Sequence, residues 1–271
     1  MNDLIIHRGP DDGGIFEEKN DSFSIALGMR RLSIIDLESG NQPMSSEDKQ
    51  VILVFNGEIY NYITLKKELE TKKVGFNTNS DTEVILKLYL EYGTDSFSKL
   101  DGMFAFSIYD KRINKIFIVR DYFGEKPLYY SNTDHSFLWG SELKSVISQI
   151  ENKPKISKKG MELYFSLTYI PAPYTIYKEV KKLLPNHYLE IDIKTLDVSE
   201  NIISKPKPKI VSKINFNDAK KITRDLVMKS VKSRSISDVP IGTFLSGGVD
   251  SSIVSYCLSQ STAKKIDTFS I

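Results

Sequence analysis

The sequence predicts an α+β fold, antiparallel strands with helices beside them, over about the first 200 residues, followed by the opening of an α/β unit built on a parallel sheet. Three observations carry this. Up to about residue 200 the apolar positions alternate with period two between clusters of turn residues. A Lys/Pro-rich stretch at 205–213 then separates that pattern from one with helical spacing. Beyond it, a short apolar run at 241–245 breaks at Ser246-Gly247-Gly248 and resumes as a helix, the order of a parallel strand, glycine turn and helix. The expected domains are 1–200, a linker at 201–215, and 216–271.

In chain order, residues 23–29 and 51–55 read as strands. Residues 103–109 and 115–119 flank a hairpin-sized connection, Asp110-Lys111-Arg112-Ile113-Asn114, and 127–130 and 136–139 form a second pair around Asn132-Thr133-Asp134. Between them, 62–71 and 82–92 have helical spacing. The second of these places Val84, Ile85, Leu88 and Tyr89 on one side, with Ser80 or Asp81 available as N-cap. After the linker, Ala219, Ile222, Leu226, Val227 and Val231 predict a helix from a cap at Asn217 or Asp218 to near Ser235. Residues 251–258 predict the helix after the glycine turn, and 268–271 the next parallel strand. Two strands and two helices bury too little surface to be stable alone.

With 37 Lys and Arg against 35 Asp and Glu, the net charge of +2 is not gathered into a basic face, which argues against nucleic acid as a partner. The single cysteine, Cys257, excludes a disulfide framework and predicts a reducing, cytoplasmic setting. Its apolar neighbours in a helix favour a buried structural role over a nucleophilic one. No basic region followed by a long apolar core opens the sequence, and no apolar run approaches a membrane span, so the expectation is of a protein neither exported nor embedded. A homodimer is left open.

A strand that ends in small residues and turns directly into a helix offers free backbone N–H groups and the positive helix end to an anion. Gly247 and Gly248 permit close approach, and the Ser246, Ser251 and Ser252 hydroxyls can donate to phosphate oxygens. The bland alternative is a glycine turn with serine caps. Gly-Lys-Ser/Thr is missing, so this is not the loop that grips β and γ phosphates in switch and motor NTPases. The string Ser246-Gly247-Gly248-Val249-Asp250-Ser251-Ser252 instead resembles that of the ATP pyrophosphatase family. The resemblance implies ATP cleavage between the α and β phosphates, with Leu245, Ser246, Gly247, Gly248, Asp250, Ser251 and Ser252 around the pyrophosphate. It also implies Mg²⁺ held to the phosphates by Asp250.

Four strings in the first half carry a second resemblance: His7-Arg8-Gly9-Pro10-Asp11-Asp12-Gly13, Arg31-Leu32-Ser33-Ile34-Ile35-Asp36, Asn56-Gly57-Glu58-Ile59-Tyr60-Asn61 and Ser80-Asp81-Thr82-Glu83. Later strings, Asp101-Gly102-Met103-Phe104-Ala105-Phe106, Arg120-Asp121-Tyr122-Phe123-Gly124-Glu125-Lys126-Pro127-Leu128 and Ser237-Asp238-Val239-Pro240, agree with it. In order and spacing they resemble the class II glutamine amidotransferase domain of asparagine synthetases, an N-terminal-nucleophile fold with a four-layer αββα sandwich. The resemblance implies that Arg31 forks the glutamine α-carboxylate, a bidentate task suited to guanidinium. It implies that Glu58 and Asp81 face the ammonium, and that Leu32 and Ile35 complete the glutamine-binding set. The Asn56 side chain and the Gly57 N–H would form the oxyanion hole, each donor typically contributing about 3 kcal/mol. Taken singly, Asn56-Gly57 is a common turn, Arg31 a surface charge and Asp81 a helix cap.

The family's nucleophile is a cysteine at the mature N-terminus, with its own α-amino group as base, and no such residue occurs here. The expectation is that this cysteine and the first strand of the sandwich lie ahead of Met1, and that the chain as given binds glutamine poorly and hydrolyses none. Asn186 stands where the family usually has glycine, a tolerable turn substitution. The activity the resemblance implies is asparagine synthesis from aspartate, ATP and glutamine through β-aspartyl-AMP. Amidation of a sugar acid, closure of a β-lactam, or non-catalytic nucleotide binding by a fragment are the alternatives, because residues that read the acceptor would lie beyond Ile271.

Overall fold

The computed structural model describes every residue except 33, 37–38, 206–212, 263–264 and 271. Residues 206–212 of the expected linker and the last residue of the second parallel strand therefore lie outside the described residues. The chain divides into two compact units, Met1–Lys205 and Pro206–Ile271.

In the first unit a 3-10 segment, Asn2–Arg8, precedes β1 (Asp12–Lys19) and β2 (Ser24–Arg31), a hairpin in which Asp12 faces Arg31 and Lys19 faces Ser24. Then come β3 (Met44–Ser45), β4 (Val51–Ile59), α1 (Tyr62–Thr71), α2 (Asp81–Tyr92), β5 (Gly102–Asp110), β6 (Lys115–Arg120), β7 (Tyr129–Asn132), β8 (Phe137–Gly140), α3 (Leu143–Ile147) and α4 (Lys158–Leu167). The unit closes with β9 (Lys181–Lys182), β10 (His187–Asp192) and β11 (Val198–Ile202). One antiparallel sheet has the order β11-β10-β6-β5-β4-β3, and a smaller one the order β8-β7-β9.

Alternation along the central strands produces the layers. Successive side chains of a strand point to opposite faces. Val51, Leu53 and Phe55 of β4, with Phe104, Phe106 and Ile108 of β5, turn to one side and pack against Leu65 and Leu69 of α1 and Val84, Ile85 and Leu88 of α2. Ile52 and Val54, with Ala105 and Tyr109, turn to the other and meet Ile25, Leu27 and Met29 of β2 and Tyr130 of β7. Helices, large sheet and a second layer of short strands thus stack in order, and α3 lies on β7 and β8 to complete the αββα sandwich. The second layer is divided between the β1–β2 hairpin and β8-β7-β9.

The strands and helices read from periodicity are present, with shifts at their ends. Ser80, of the two residues considered, caps α2: its hydroxyl accepts from the Thr82 N–H at 3.1 Å. Strand β1 was not anticipated, because Gly13 and Gly14 depress strand propensity where they replace side chains that would collide. A Cβ on Gly14 would lie 2.1 Å from the Gln42 carbonyl oxygen.

In the second unit, α5 (Phe216–Ser233), β12 (Gly242–Phe244), α6 (Val249–Ser261) and β13 (Asp267–Phe269) follow, with β12 and β13 paired in parallel and α5 against α6. The α5 cap is Asn215, whose side-chain oxygen accepts from the Asp218 N–H at 2.9 Å, rather than Asn217 or Asp218. The helix therefore opens at Phe216, three residues before Ala219, the first position of the apolar spacing. Helix α6 starts at Val249, two residues before the serines expected to open it.

The segment joining the two β layers is tied by adjacent residues of opposite charge. Asp121 is fully buried, and its carboxylate accepts from the amides of Phe104 (3.2 Å), Phe123 (3.0 Å), Glu125 (2.9 Å) and Lys126 (2.9 Å). Arg120 donates to the carbonyls of Lys126 (2.8 Å), Gly124 (2.7 Å) and Leu183. Gly124 has φ +68°, and a Cβ there would lie 2.9 Å from Pro185. Asp121→Ala leaves four amides without their acceptor and is expected to lower unfolding free energy by about 3–5 kcal/mol. Asp121→Asn is expected to share much of that loss, since its NH₂ meets two N–H donors whichever way it is turned. Urea titration of both variants checks this.

Candidate active site

A cavity of about 730 Å³ opens in the first unit. Each residue expected to hold glutamine lines it: Arg31, Leu32, Ile35, Asn56, Gly57, Glu58 and Asp81. They arrive from three places, the end of β2 with the loop after it, the second half of β4, and the first residue of α2.

Arg31 is buried, and its Nη2 donates to the carbonyls of Ile35 (3.0 Å) and Asp36 (2.6 Å). Part of its donor capacity therefore holds the loop, and that loop is held a second time where Asp36 Oδ2 accepts from the Asn79 N–H at 2.8 Å. Ile35 is buried and Leu32 exposed at the rim. Ser33, within the same motif, lies outside the described residues.

On β4, Asn56 Nδ2 reaches Ser141 Oγ at 3.4 Å. Gly57 pairs with Phe104 in the β4–β5 ladder, and a Cβ on it would stand 2.1 Å from the Met103 carbonyl oxygen. Only glycine fits there, so the Asn-Gly pair is part of a strand and not the turn its composition suggests. Gln42 clamps strand to helix: its Oε1 accepts from the Phe55 N–H (2.7 Å) and its Nε2 donates to Thr82 Oγ1 (3.2 Å).

Asp81 opens α2 without capping it. Its carboxylate is buried and accepts from the Ile59 N–H at 3.0 Å, joining α2 to the end of β4. Burial pushes its pKa up to about 6 against the pull of the Ile59 and Thr82 amides, and the neighbouring charge of Glu58 adds to the rise. Glu58 is also raised by burial, with Lys126 opposing. The Glu83 carboxylate turns back to accept from the amides of Asn77 and Thr78. Lys126, Arg8 and Ser141 also line the cavity and received no role from the sequence, although Arg8 and Lys126 stand inside quoted motifs.

The second unit carries the glycine loop. Gly247 has φ +80° with open space around it, and Gly248 is the N-cap of α6. Leu245 extends the strand pairing, its N–H donating to the Phe269 carbonyl at 2.8 Å. Ser251 Oγ (3.1 Å) and Ser252 Oγ (2.8 Å) both donate to the Gly248 carbonyl, and Ser246 Oγ lies 3.1 Å from Ser251 Oγ. Asp250 is exposed in the first turn of α6. Among the described residues no three His, Cys, Asp or Glu side chains gather to hold a metal. A divalent ion fits here only if phosphate oxygens supply most of its ligands, with Asp250 as the one carboxylate. Cys257 is buried in α6.

Residues 1–201 match the glutamine amidotransferase domain family, and residues 223–271 the asparagine synthase family. The chain is 41% identical over 271 residues to asparagine synthetase [glutamine-hydrolyzing] 1 of Bacillus subtilis, covering all of this chain and 42% of that protein. It is 42% identical over 294 aligned positions to putative asparagine synthetase [glutamine-hydrolyzing] 2 of Methanocaldococcus jannaschii, covering all of this chain and 55% of that protein. It thus spans about half the length of these relatives. Among solved structures, glutamine phosphoribosylpyrophosphate amidotransferase from B. subtilis, complexed with ADP and GMP, superposes with TM-score 0.52 at 18% identity, over 98% of this chain and 60% of that one. That likeness concerns the fold alone.

The raised pKa of Asp81 gives a testable sign. A carboxyl group whose folded pKa exceeds its unfolded value of about 4 favours folding when protonated, and that contribution is lost as pH rises through about 6. Between pH 7.5 and pH 4 the wild type is therefore expected to gain on the order of 2–3 kcal/mol relative to Asp81→Asn, which cannot ionise. Urea unfolding at the two pH values measures the difference.

Proposed function

Because the chain belongs to the glutamine amidotransferase domain family, we propose that its first unit binds L-glutamine in the cavity and serves an ATP-dependent asparagine synthetase whose ligase half begins at the second unit. The observation that carries the reading is the convergence of Arg31, Asn56, Gly57, Glu58 and Asp81 on one cavity. A glutamine presents a carboxylate, an ammonium and an amide together, and this wall offers a guanidinium, two carboxylates, and the amide donors of Asn56 and Gly57. Aspartate as acceptor follows from the names of the relatives, both asparagine synthetases.

Hydrolysis of the amide requires a nucleophile at the cavity. The one cysteine of these 271 residues, Cys257, is buried in α6 of the second unit. Recognition and the oxyanion donors are the parts of that reaction assigned to this chain, and Cys257 is not among the residues that line the cavity. In the whole enzyme the released ammonia would attack an aspartyl-adenylate formed at the ligase half. The loop 245–252 would hold the departing pyrophosphate through backbone N–H groups and the Ser246, Ser251 and Ser252 hydroxyls. ATP would bring Mg²⁺, with Asp250 as its protein ligand. No described helix is long and apolar enough to cross a membrane, and a lone free cysteine suits the cytoplasm.

Saturation-transfer NMR on the 271-residue chain tests the reading. L-Glutamine is expected to bind weakly, with Kd about 1 mM, to lose at least tenfold in affinity in Arg31→Lys, and to weaken below pH 6 as Asp81 takes up a proton. No glutamate is expected to form. Glutamine turnover by the purified chain, or binding untouched by Arg31→Lys, contradicts the proposal.

A further inference from the structure

Two carboxylates, Glu58 and Asp81, line one cavity close enough for the charge of Glu58 to raise Asp81. Such a pair either shares a proton or keeps a cation beside it. Four cationic side chains line the same cavity: Arg8, Arg30, Arg31 and Lys126. Arg8 pairs with Glu142 at 3.5 Å and Arg30 with Asp3 at 2.6 Å, while Arg31 gives Nη2 to the Ile35 and Asp36 carbonyls and its charge acts on the Asp36 carboxylate. The remaining acid on the wall, Glu17, belongs to β1. Lys126 forms no ion pair among the described residues, yet it is only partly exposed.

Its position is fixed from behind. The Lys126 N–H donates to Asp121 Oδ2, its carbonyl accepts from Arg120 Nε, and Pro127 restricts the next φ. A long flexible side chain thus leaves a rigid peptide and enters the cavity. We propose that Lys126 is a positioning residue that keeps Glu58 ionised and available to a ligand ammonium, acting as the counter-ion of Glu58 while the site is empty. Burial raises Glu58, and the one charge opposing this is Lys126. Burial lowers Lys126, and the first charge opposing that is Glu58.

This deepens the glutamine reading and rests on it for the ligand, so the experiment separates the two. The Glu58 side-chain carboxyl is followed by ¹³C NMR in the ligand-free 271-residue chain, assigned by its disappearance in Glu58→Gln. In Lys126→Met and Lys126→Gln the Glu58 midpoint is expected to rise by about one pH unit, and in Lys126→Arg to stay where it is. An unmoved midpoint in both neutral variants overturns the proposal, as does an equal rise in Lys126→Arg, which would assign the effect to shape. With L-glutamine added and the pH lowered from 8, Lys126→Met is expected to lose affinity severalfold at a higher pH than the wild type does, a displaced profile that a merely structural role would not produce. Failure of every protein, wild type included, to bind glutamine overturns the substrate reading above, and the ligand-free titration then decides the role of Lys126 by itself.

Discussion

Four backbone amides point at one buried carboxylate, Asp121, and the architecture of the first unit turns on satisfying them. The Phe104 amide belongs to the large sheet, while those of Phe123, Glu125 and Lys126 belong to the segment that crosses to the smaller one. An unpaired charge in such a place would be prohibitive, and so would four unpaired amides; together they are compatible. The neighbouring guanidinium of Arg120 collects carbonyls from the same crossing and from Leu183 ahead of β10. Packing registers two β layers loosely, because apolar contacts have no direction. Hydrogen bonds do have direction, and here they fix where the crossing enters the second layer.

The same crossing delivers the chemistry. Lys126 reaches the cavity because its peptide is held at the N–H and at the carbonyl, and Asp81 reaches it because the Ile59 amide holds its carboxylate. Both groups are partly removed from water by scaffolding that exists for other reasons. Their altered proton affinities follow from that burial, and so does their strength toward a charged ligand, since the same low polarity that penalises an isolated charge strengthens attraction between opposite ones.

Much of this was legible beforehand, for identifiable reasons. Period-two alternation made β4, β5 and β6 readable, and helical spacing made α1, α2 and α5 readable. The division of the sequence at the Lys/Pro stretch was visible in composition. Strand β1 and the short β9 were not, since glycines and lysines carry little apolar signal and their strand state comes from partners distant in sequence. At the site, the Asn-Gly pair and the Ser-Asp-Thr-Glu string were found as motifs, yet their geometry escaped inference. Gly57 is selected by the approach of the Met103 carbonyl, and Glu83 by amides at 77 and 78. Lys126 had no signal beyond membership of a motif, because its importance depends on where the other cations of the cavity are directed.

Strand β5 bears apolar residues on both sides, Phe104, Phe106 and Ile108 toward the helices and Ala105 and Tyr109 toward the second layer. Its hairpin with β6 closes over a short, local connection, so it can form early. Once formed, it has no side that tolerates water until α1, α2 and the β1–β2 hairpin have all docked. The elements that cover it, β1, β2, α1 and α2, all precede it in the chain, so a nascent chain already holds the cover for both faces of its most apolar ribbon by the time that ribbon is made.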